Sequence, residues 1–249
     1  MLILLTNDDG IQSAGLQMLA EQVRPLGRVV VVAPDRERSA VGHALTLHAP
    51  LRAHAYQQDW WVNNLLTGKE YDLGIHGLLK AKPDLVISGI NRGVFTNFSL
   101  TYSGTVAAAM EATLMGVPAF AMSLDGRNFS AEAFGWAARV AREMAETVRE
   151  HGLPADTFLN INVPEGRPTG IRLTRQGKRV YEGAVVKKSD PRGNDYYWIG
   201  AGELSFQNLD GTDFNAVASG DVSVTPLHLD LTNYAALERL RQWQMEIDF

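Results

Sequence analysis

Arg28-Val29-Val30-Val31-Val32-Ala33 is the stretch that most narrows the fold. β-Branched side chains favour extended backbone. A run with no polar position inside it suits a strand buried on both faces, as in a parallel sheet covered by helices. Residues 2–6, 84–88 and 117–124 carry similar apolar runs. Between them lie segments of helical character: 13–25, 70–81, an alanine-rich 104–115, and 131–150 with its charges on one side. This order predicts an α/β fold, a mostly parallel sheet with helices on both faces. Such sheets bind ligands beyond the carboxyl ends of their strands.

The texture changes after about residue 155. A strand is expected over 158–163, then short strands at 171–174, 179–186, 195–199 and 221–225, separated by Gly, Pro and Asp. These read as hairpins or an antiparallel extension, with a closing helix near 231–245. Residues 1–155 are therefore expected to form the core that carries the site. Residues 156–249 should supply the last core strands, a β-hairpin extension and the C-terminal helix of one continuous domain. Tyr196, Tyr197 and Trp198 are consecutive and cannot share one face, so one side of that strand should meet another element or another subunit.

Composition excludes several functions. The chain has 249 residues, 45% hydrophobic and 20% charged, with a net charge of −5. Broad attraction to duplex nucleic acid or an anionic membrane is not favoured. With 0 cysteines, disulfides, thiolate catalysis and cysteine-ligated zinc are excluded. No apolar run is long enough to span a bilayer, and no basic n-region or cleavage site opens the chain, so a cytoplasmic location is expected. The sequence has no G-x-x-x-x-G-K-[ST] loop, no G-x-G-x-x-G after the first strand, no G-x-S-x-G elbow and no H-E-x-x-H.

The chemistry begins at Thr6-Asn7-Asp8-Asp9-Gly10-Ile11-Gln12, where a buried strand ends on two adjacent carboxylates. Adjacent carboxylates repel, and burying them is costly; a hard divalent cation relieves both penalties. The plain alternative is an Asp-Gly turn with both side chains in water. Three further segments sit where strands should end. The loop Ala33–His43 includes Ser39, an oxygen ligand or hydrogen-bond partner. Ser88-Gly89-Ile90-Asn91-Arg92-Gly93 offers glycines for close approach, Asn91 as a neutral oxygen donor and Arg92 as a phosphate partner. Tyr102-Ser103-Gly104-Thr105 opens a helix: Ser103 is a good N-cap, Gly104 leaves room for phosphate oxygens, and the Thr105 hydroxyl can donate to one. Each segment alone also fits ordinary turns and caps. Together they suit hydrolysis of a phosphate monoester assisted by one metal ion. A basic stretch, Arg172, Arg175, Lys178, Arg179, Lys187 and Lys188, suits polyphosphate or RNA ends, but a solvated hairpin face or a subunit contact is the more ordinary reading in a chain of negative net charge.

In this order and spacing the segments resemble the stationary-phase survival protein SurE family of metal-dependent nucleotide phosphatases. The resemblance runs through Thr6–Gly10, Ala33-Pro34-Asp35 with Arg38-Ser39, Gly42-His43, Ser88–Gly93 and Tyr102–Glu111. It continues through Asn160–Pro164, Thr174–Gly177, Thr212-Asp213 and Ser223–Leu227. It implies a three-layer α/β/α sandwich with a Rossmann-like sheet, an extended β-hairpin and a C-terminal segment exchanged between subunits of a dimer or tetramer. Asp8, Asp9, Ser39 and Asn91 would be ligands of one divalent cation per subunit, Mg2+ or Mn2+, with Asp8 and Asp9 catalytic. Asn91, Arg92, Ser103, Gly104 and Thr105 would bind the substrate phosphate. The implied substrates are nucleoside 5′- and 3′-monophosphates, with short polyphosphate as a further one. Two stretches depart from the family pattern. Val94-Phe95-Thr96-Asn97 and Phe98-Ser99 stand where Pro-Asn-x-Gly and acidic residues are usual, and Thr67–Leu73 replaces Gly-Thr-Pro-Ala-Asp-Cys-Val. Both would border the active-site mouth, where Phe95 and Phe98 would stack on a base or plug the cleft. A non-catalytic nucleotide-binding oligomer with altered mouth loops is the competing expectation.

Overall fold

The computed structural model describes residues 1–37, 52–57, 59–63, 77–79, 81–93, 103–126, 128–181, 185–199 and 204–243. Ser39, Phe95, Phe98, the stretch 67–73 and most of the helix expected over 70–81 lie outside them.

The first layer to form from the sequence is the sheet. Its strands are β1 (Leu2–Thr6), β2 (Arg28–Pro34), β3 (Ala53–Gln57), β4 (Trp60–Asn63), β5 (Leu85–Arg92), β6 (Ala119–Leu124), β7 (Thr157–Val163), β8 (Ile171–Leu173) and, after four more strands, β13 (Val222–His228). They lie in the order β3-β4-β2-β1-β5-β6-β7-β13-β8. The pairs from β4 to β7 are all parallel. β3 pairs antiparallel with β4, and β13 antiparallel with β7, while edge strand β8 runs parallel to β13. The expected parallel core is present from β4 to β7, with an antiparallel junction on each side of it.

Alternation along each strand divides the interior into two cores. Ile3 and Leu5, Val31 and Ala33, Leu85 and Ile87, Phe120 and Met122, and Leu159 and Ile161 face one layer. Leu4, Val30, Val32, Val86, Ala119, Ala121 and Phe158 face the other. The first layer holds α1 (Ala14–Val23) and α3 (Ala131–His151). They bury Leu16, Leu19 and Ala20 against Phe134, Ala137, Ala138 and Ala141. α3 keeps Arg142 and Glu146 on its outer side, 3.2 Å apart. The second layer holds α2 (Gly104–Leu114), whose Ala108, Ala109 and Ala112 let it lie close on β5 and β6. This is the three-layer α/β/α sandwich. Each of the three helices opens on a serine cap: Ser13, Ser103 and Ser130 accept from Leu16, Val106 and Ala133 backbone N–H groups at 3.3, 3.1 and 3.2 Å.

The second half differs in detail from expectation. The strand expected over 179–186 is two strands: β9 (Arg179–Tyr181), paired antiparallel with β12 (Leu204–Phe206), and β10 (Val185–Ser189), paired antiparallel with β11 (Asp195–Ile199). The β10–β11 hairpin exposes Tyr197 and Trp198. A short helix absent from the sequence reading, α4 (Asp213–Ala218), packs on β13, and α5 (Tyr234–Leu240) followed by a 3-10 turn stands in for the longer closing helix. The motifs Thr174–Gly177 and Thr212-Asp213 meet here. Buried Asp213 accepts the Gly177 N–H at 2.8 Å, and Thr174 bonds Ser223 and Thr225 across the sheet at 2.9 and 2.8 Å. Three residues of the basic stretch are engaged within the chain. Arg172 pairs with Asp221 at 2.6 Å, Arg175 donates to the Asp210 carbonyl at 3.0 Å, and Lys187 pairs with Asp195 at 2.6 Å.

Candidate active site

β1 is followed on one side by β2 and on the other by β5. The chain therefore reverses its winding between β1 and β5, and a crevice opens beyond their carboxyl ends. Asp8, Asp9, Asn91 and Arg92 all stand at this point. The Arg92 backbone N–H donates to Asp9 Oδ2 at 3.3 Å and ties the two strand ends together.

The turn after β1 is held by Asn7, a buried residue that the sequence reading gave no role. Its Nδ2 donates to Ser13 Oγ at 2.7 Å and to the Gly10 carbonyl at 3.2 Å, and its Oδ1 accepts the Gly10 N–H at 3.2 Å. Ser13 is also the cap of α1, so one amide fixes the carboxylate turn to that helix. The signal for it was an Asn two residues before a Gly-containing turn, where side-chain-to-backbone bonds are common. Gly10 has φ +101°, and a Cβ there would come within 3.1 Å of the Arg36 backbone, so the glycine is required.

Asp8 and Asp9 diverge. Asp8 turns to the α2 layer, where it accepts the Thr105 hydroxyl at 2.5 Å. A Cβ on Gly104 would lie 2.9 Å from Asp8 Oδ2, so the space that this glycine leaves is taken up by the carboxylate. Burial pushes the Asp8 carboxyl up, opposed by the Thr105 hydroxyl and by the N–H groups of Thr105 and Gly104. Asp9 faces Arg92. Burial and then the charge of Asp8 push its carboxyl up to about 6, against the pull of the Arg92 guanidinium. That guanidinium, expected to serve phosphate, lies 2.9 Å from Glu37 Oε2 and 3.8 Å from Asp9 Oδ1.

Asn91 uses its amide nitrogen on the carbonyls of Arg92 and Gly93, at 2.9 and 3.3 Å, which leaves its oxygen as the donor for a ligand. The backbone at Gly89 does approach closely, though to protein: a Cβ there would sit 2.3 Å from the Met122 carbonyl of β6, at the register shift between β5 and β6. Ser103 is buried and its hydroxyl is spent on capping. α2 thus presents its first N–H groups beside Asp8.

A divalent cation fits this set. Two nearly buried carboxylates with raised proton affinity, and an amide oxygen at the same strand ends, are hard oxygen donors whose mutual repulsion a cation removes.

The family profile described as Survival protein SurE matches residues 3–183. A 5′-nucleotidase SurE of Syntrophotalea carbinolica is 58% identical over 245 residues, spanning 98% of both chains. One of Geotalea daltonii is 56% identical over 252 residues, spanning 98% of this chain and all of that one. Among solved structures, the SurE protein of Aquifex aeolicus superposes with a TM-score of 0.87 at 42% identity, covering 98% of this chain and 100% of the other. With the strand order, the paired carboxylates and the α2 start all in place, the chain belongs to the SurE family.

Proposed function

We propose that the chain is a 5′-nucleotidase that releases phosphate from nucleoside 5′-monophosphates, and from 3′-monophosphates and short polyphosphate as secondary substrates. Support comes from the names of relatives above half identity over nearly the whole length. It comes equally from the convergence of Asp8, Asp9, Asn91 and the start of α2 at the switch between β1 and β5, which is the observation that carries the reading. Asp8, Asp9 and Asn91, with Ser39 from the loop after β2, would hold one Mg2+ or Mn2+ ion. Bound there, such an ion supplies charge neutralisation for a phosphoryl group and a source of hydroxide near neutral pH.

The chain's own groups do the rest. The Gly104 and Thr105 N–H groups of α2 are turned to the Asp8 carboxylate, so this helix start acts on phosphoryl oxygens through its dipole and through the carboxylate it holds. Thr105 fixes the orientation of Asp8 through its hydroxyl bond. Arg92 holds Asp9 by its backbone N–H and places a guanidinium beside it, where it offsets anionic charge at the mouth. Adjacent aspartates lack the Asp-x-Asp spacing of enzymes that form an aspartyl-phosphate, so water is the better nucleophile.

Residues 1–155 would carry this chemistry, and 156–249 would join subunits into a dimer or tetramer in the cytoplasm. Exposed Tyr197, Trp198, Leu231 and Trp243 support that role. Light scattering on the purified chain tests it. The activity is tested by phosphate release from a nucleotide panel with Mg2+ or Mn2+ against an EDTA control. Asp8→Asn and Asp9→Asn should each abolish metal-dependent release; full activity in either variant would end the assignment. Nucleotide binding without release would favour the non-catalytic alternative.

A further inference from the structure

A cavity of about 450 Å3 opens beside Asp9, on the α1–α3 side of the sheet. Its lining includes Asp9 and Arg92, Asp35 and Arg36 at the end of β2, Ala14 at the start of α1, and Phe129. The Phe129 and Phe134 rings lie 6.3 Å apart and tilted by 31°. Phe134 is buried in the core, whereas Phe129 is only partly covered and lines the cavity. Gly15 shapes this wall: a Cβ there would collide with the Ile90 carbonyl at 2.3 Å and with Phe134 at 2.9 Å.

The volume is of the size that small-molecule sites have, and far larger than a phosphoryl group needs. Its lining combines charged groups, Asp9, Asp35, Arg36 and Arg92, with the aromatic surface of Phe129 and Phe134. An amphipathic ligand with an anionic head and a flat apolar body matches that combination. The divergence of the two carboxylates gives the direction. Asp8 belongs to the α2 side, where phosphate is favoured, and Asp9 turns toward this cavity, so a substrate spanning both lays its body across Asp9.

We propose that this cavity is the nucleoside subsite, in which a nucleobase lies against Phe129 between α1 and the segment leading into α3. The inference rests on the nucleotidase reading for its phosphate end and adds to it the residue that recognises the base. Base–aromatic stacking tolerates every base, so the subsite favours nucleotides as a class over phosphate esters without a base.

The test compares kcat/KM for adenosine 5′-monophosphate with kcat/KM for ribose 5-phosphate. Phe129→Ala should lower that ratio about five- to hundredfold, through KM more than kcat. Ala14→Phe, at an exposed position of the lining, should do the same by filling the cavity, and it stands as the test where Phe129→Ala folds poorly. A ratio that stays at the wild-type value in a folded variant overturns the proposal, because a merely structural change moves both substrates together. Should the wild type hydrolyse neither ester, the nucleotidase reading fails on its own. Equilibrium dialysis with adenosine then decides the cavity: binding lost in Ala14→Phe supports the subsite, and no binding in the wild type overturns it.

Discussion

Thr105 Oγ1 donates to Asp8 Oδ1 at 2.5 Å, joining residues 97 positions apart in sequence. Both side chains are buried. The bond lets the first turn of α2 set the direction of a carboxylate carried by the end of β1.

Thr105→Val keeps the volume and removes the donor. A hydrogen bond to a charged group contributes about 1.5–3 kcal/mol. Its loss should raise the Asp8 carboxyl further, since that hydroxyl is the leading influence opposing burial. We expect kcat/KM near pH 7 to fall roughly 10- to 100-fold. The acid limb of the pH–rate profile should move to higher pH, and Thr105→Ser should restore both. A valine variant with the wild-type profile would show that Asp8 is positioned by other groups.

Gly104→Ala tests how tightly α2 packs on the same carboxylate. The added methyl would stand 2.9 Å from Asp8 Oδ2 and 3.0 Å from Asp8 Cβ, closer than real Cβ atoms come. Asp8 must shift, so activity should drop at least about tenfold. The melting temperature should change little, because alanine is the better helix former. Unchanged turnover with Mn2+ would contradict the contact.

Asp9 links activity to stability. Its carboxyl is raised from 3.8 to about 6 in the folded chain. Between these values the folded state keeps a proton that the unfolded chain has released, so stability falls as pH rises through this window. The loss above pH 6 is on the order of 3 kcal/mol for the metal-free protein. Asp9→Asn should therefore melt roughly 5–10 °C higher than the wild type at pH 7.5 without metal, and at the same temperature near pH 4. Mg2+ should raise the melting temperature of the wild type and not of the variant. Calorimetry at the two pH values checks both statements, and a variant less stable at pH 7.5 would contradict them.

Asn7→Ala removes the amide that bonds Ser13 and Gly10. At about 1 kcal/mol for each hydrogen bond, a loss of roughly 2–3 kcal/mol is expected in denaturant unfolding. Mn2+ affinity should fall as well, because the turn carrying both aspartates is no longer tied to the α1 cap. Wild-type Mn2+ affinity in a destabilised variant would separate folding from site geometry and leave Asn7 a purely structural residue.

The middle of the parallel core was legible because β1 and β2 are apolar on both faces, Val29–Val32 most clearly. The candidate site drew attention to Asp8, Asp9 and Asn91 because carboxylates and amides at the ends of buried strands are expensive unless they bind something. Other features left weaker traces. β3 and β4 carry no clean alternation, and α4 has too few residues for a helical period to show. Asn7 acts through bonds to backbone and to a cap, which a pattern of residue types does not display. Gly89 looked like ligand contact because a glycine records only that something is near; here the neighbour is the Met122 carbonyl. Arg92 looked free for phosphate because its partner Glu37 is 55 positions away.

Asp8 and Asp9 leave one strand end toward different layers of the sandwich. Both lie in the bend that follows β1, so their divergence is set by what each one meets: the Thr105 hydroxyl for Asp8 and the Arg92 backbone N–H for Asp9. The arrangement also divides labour between two layers that share few contacts. In the proposed subsite, a change at Phe129 would act on base recognition and leave the Thr105–Asp8 bond in place.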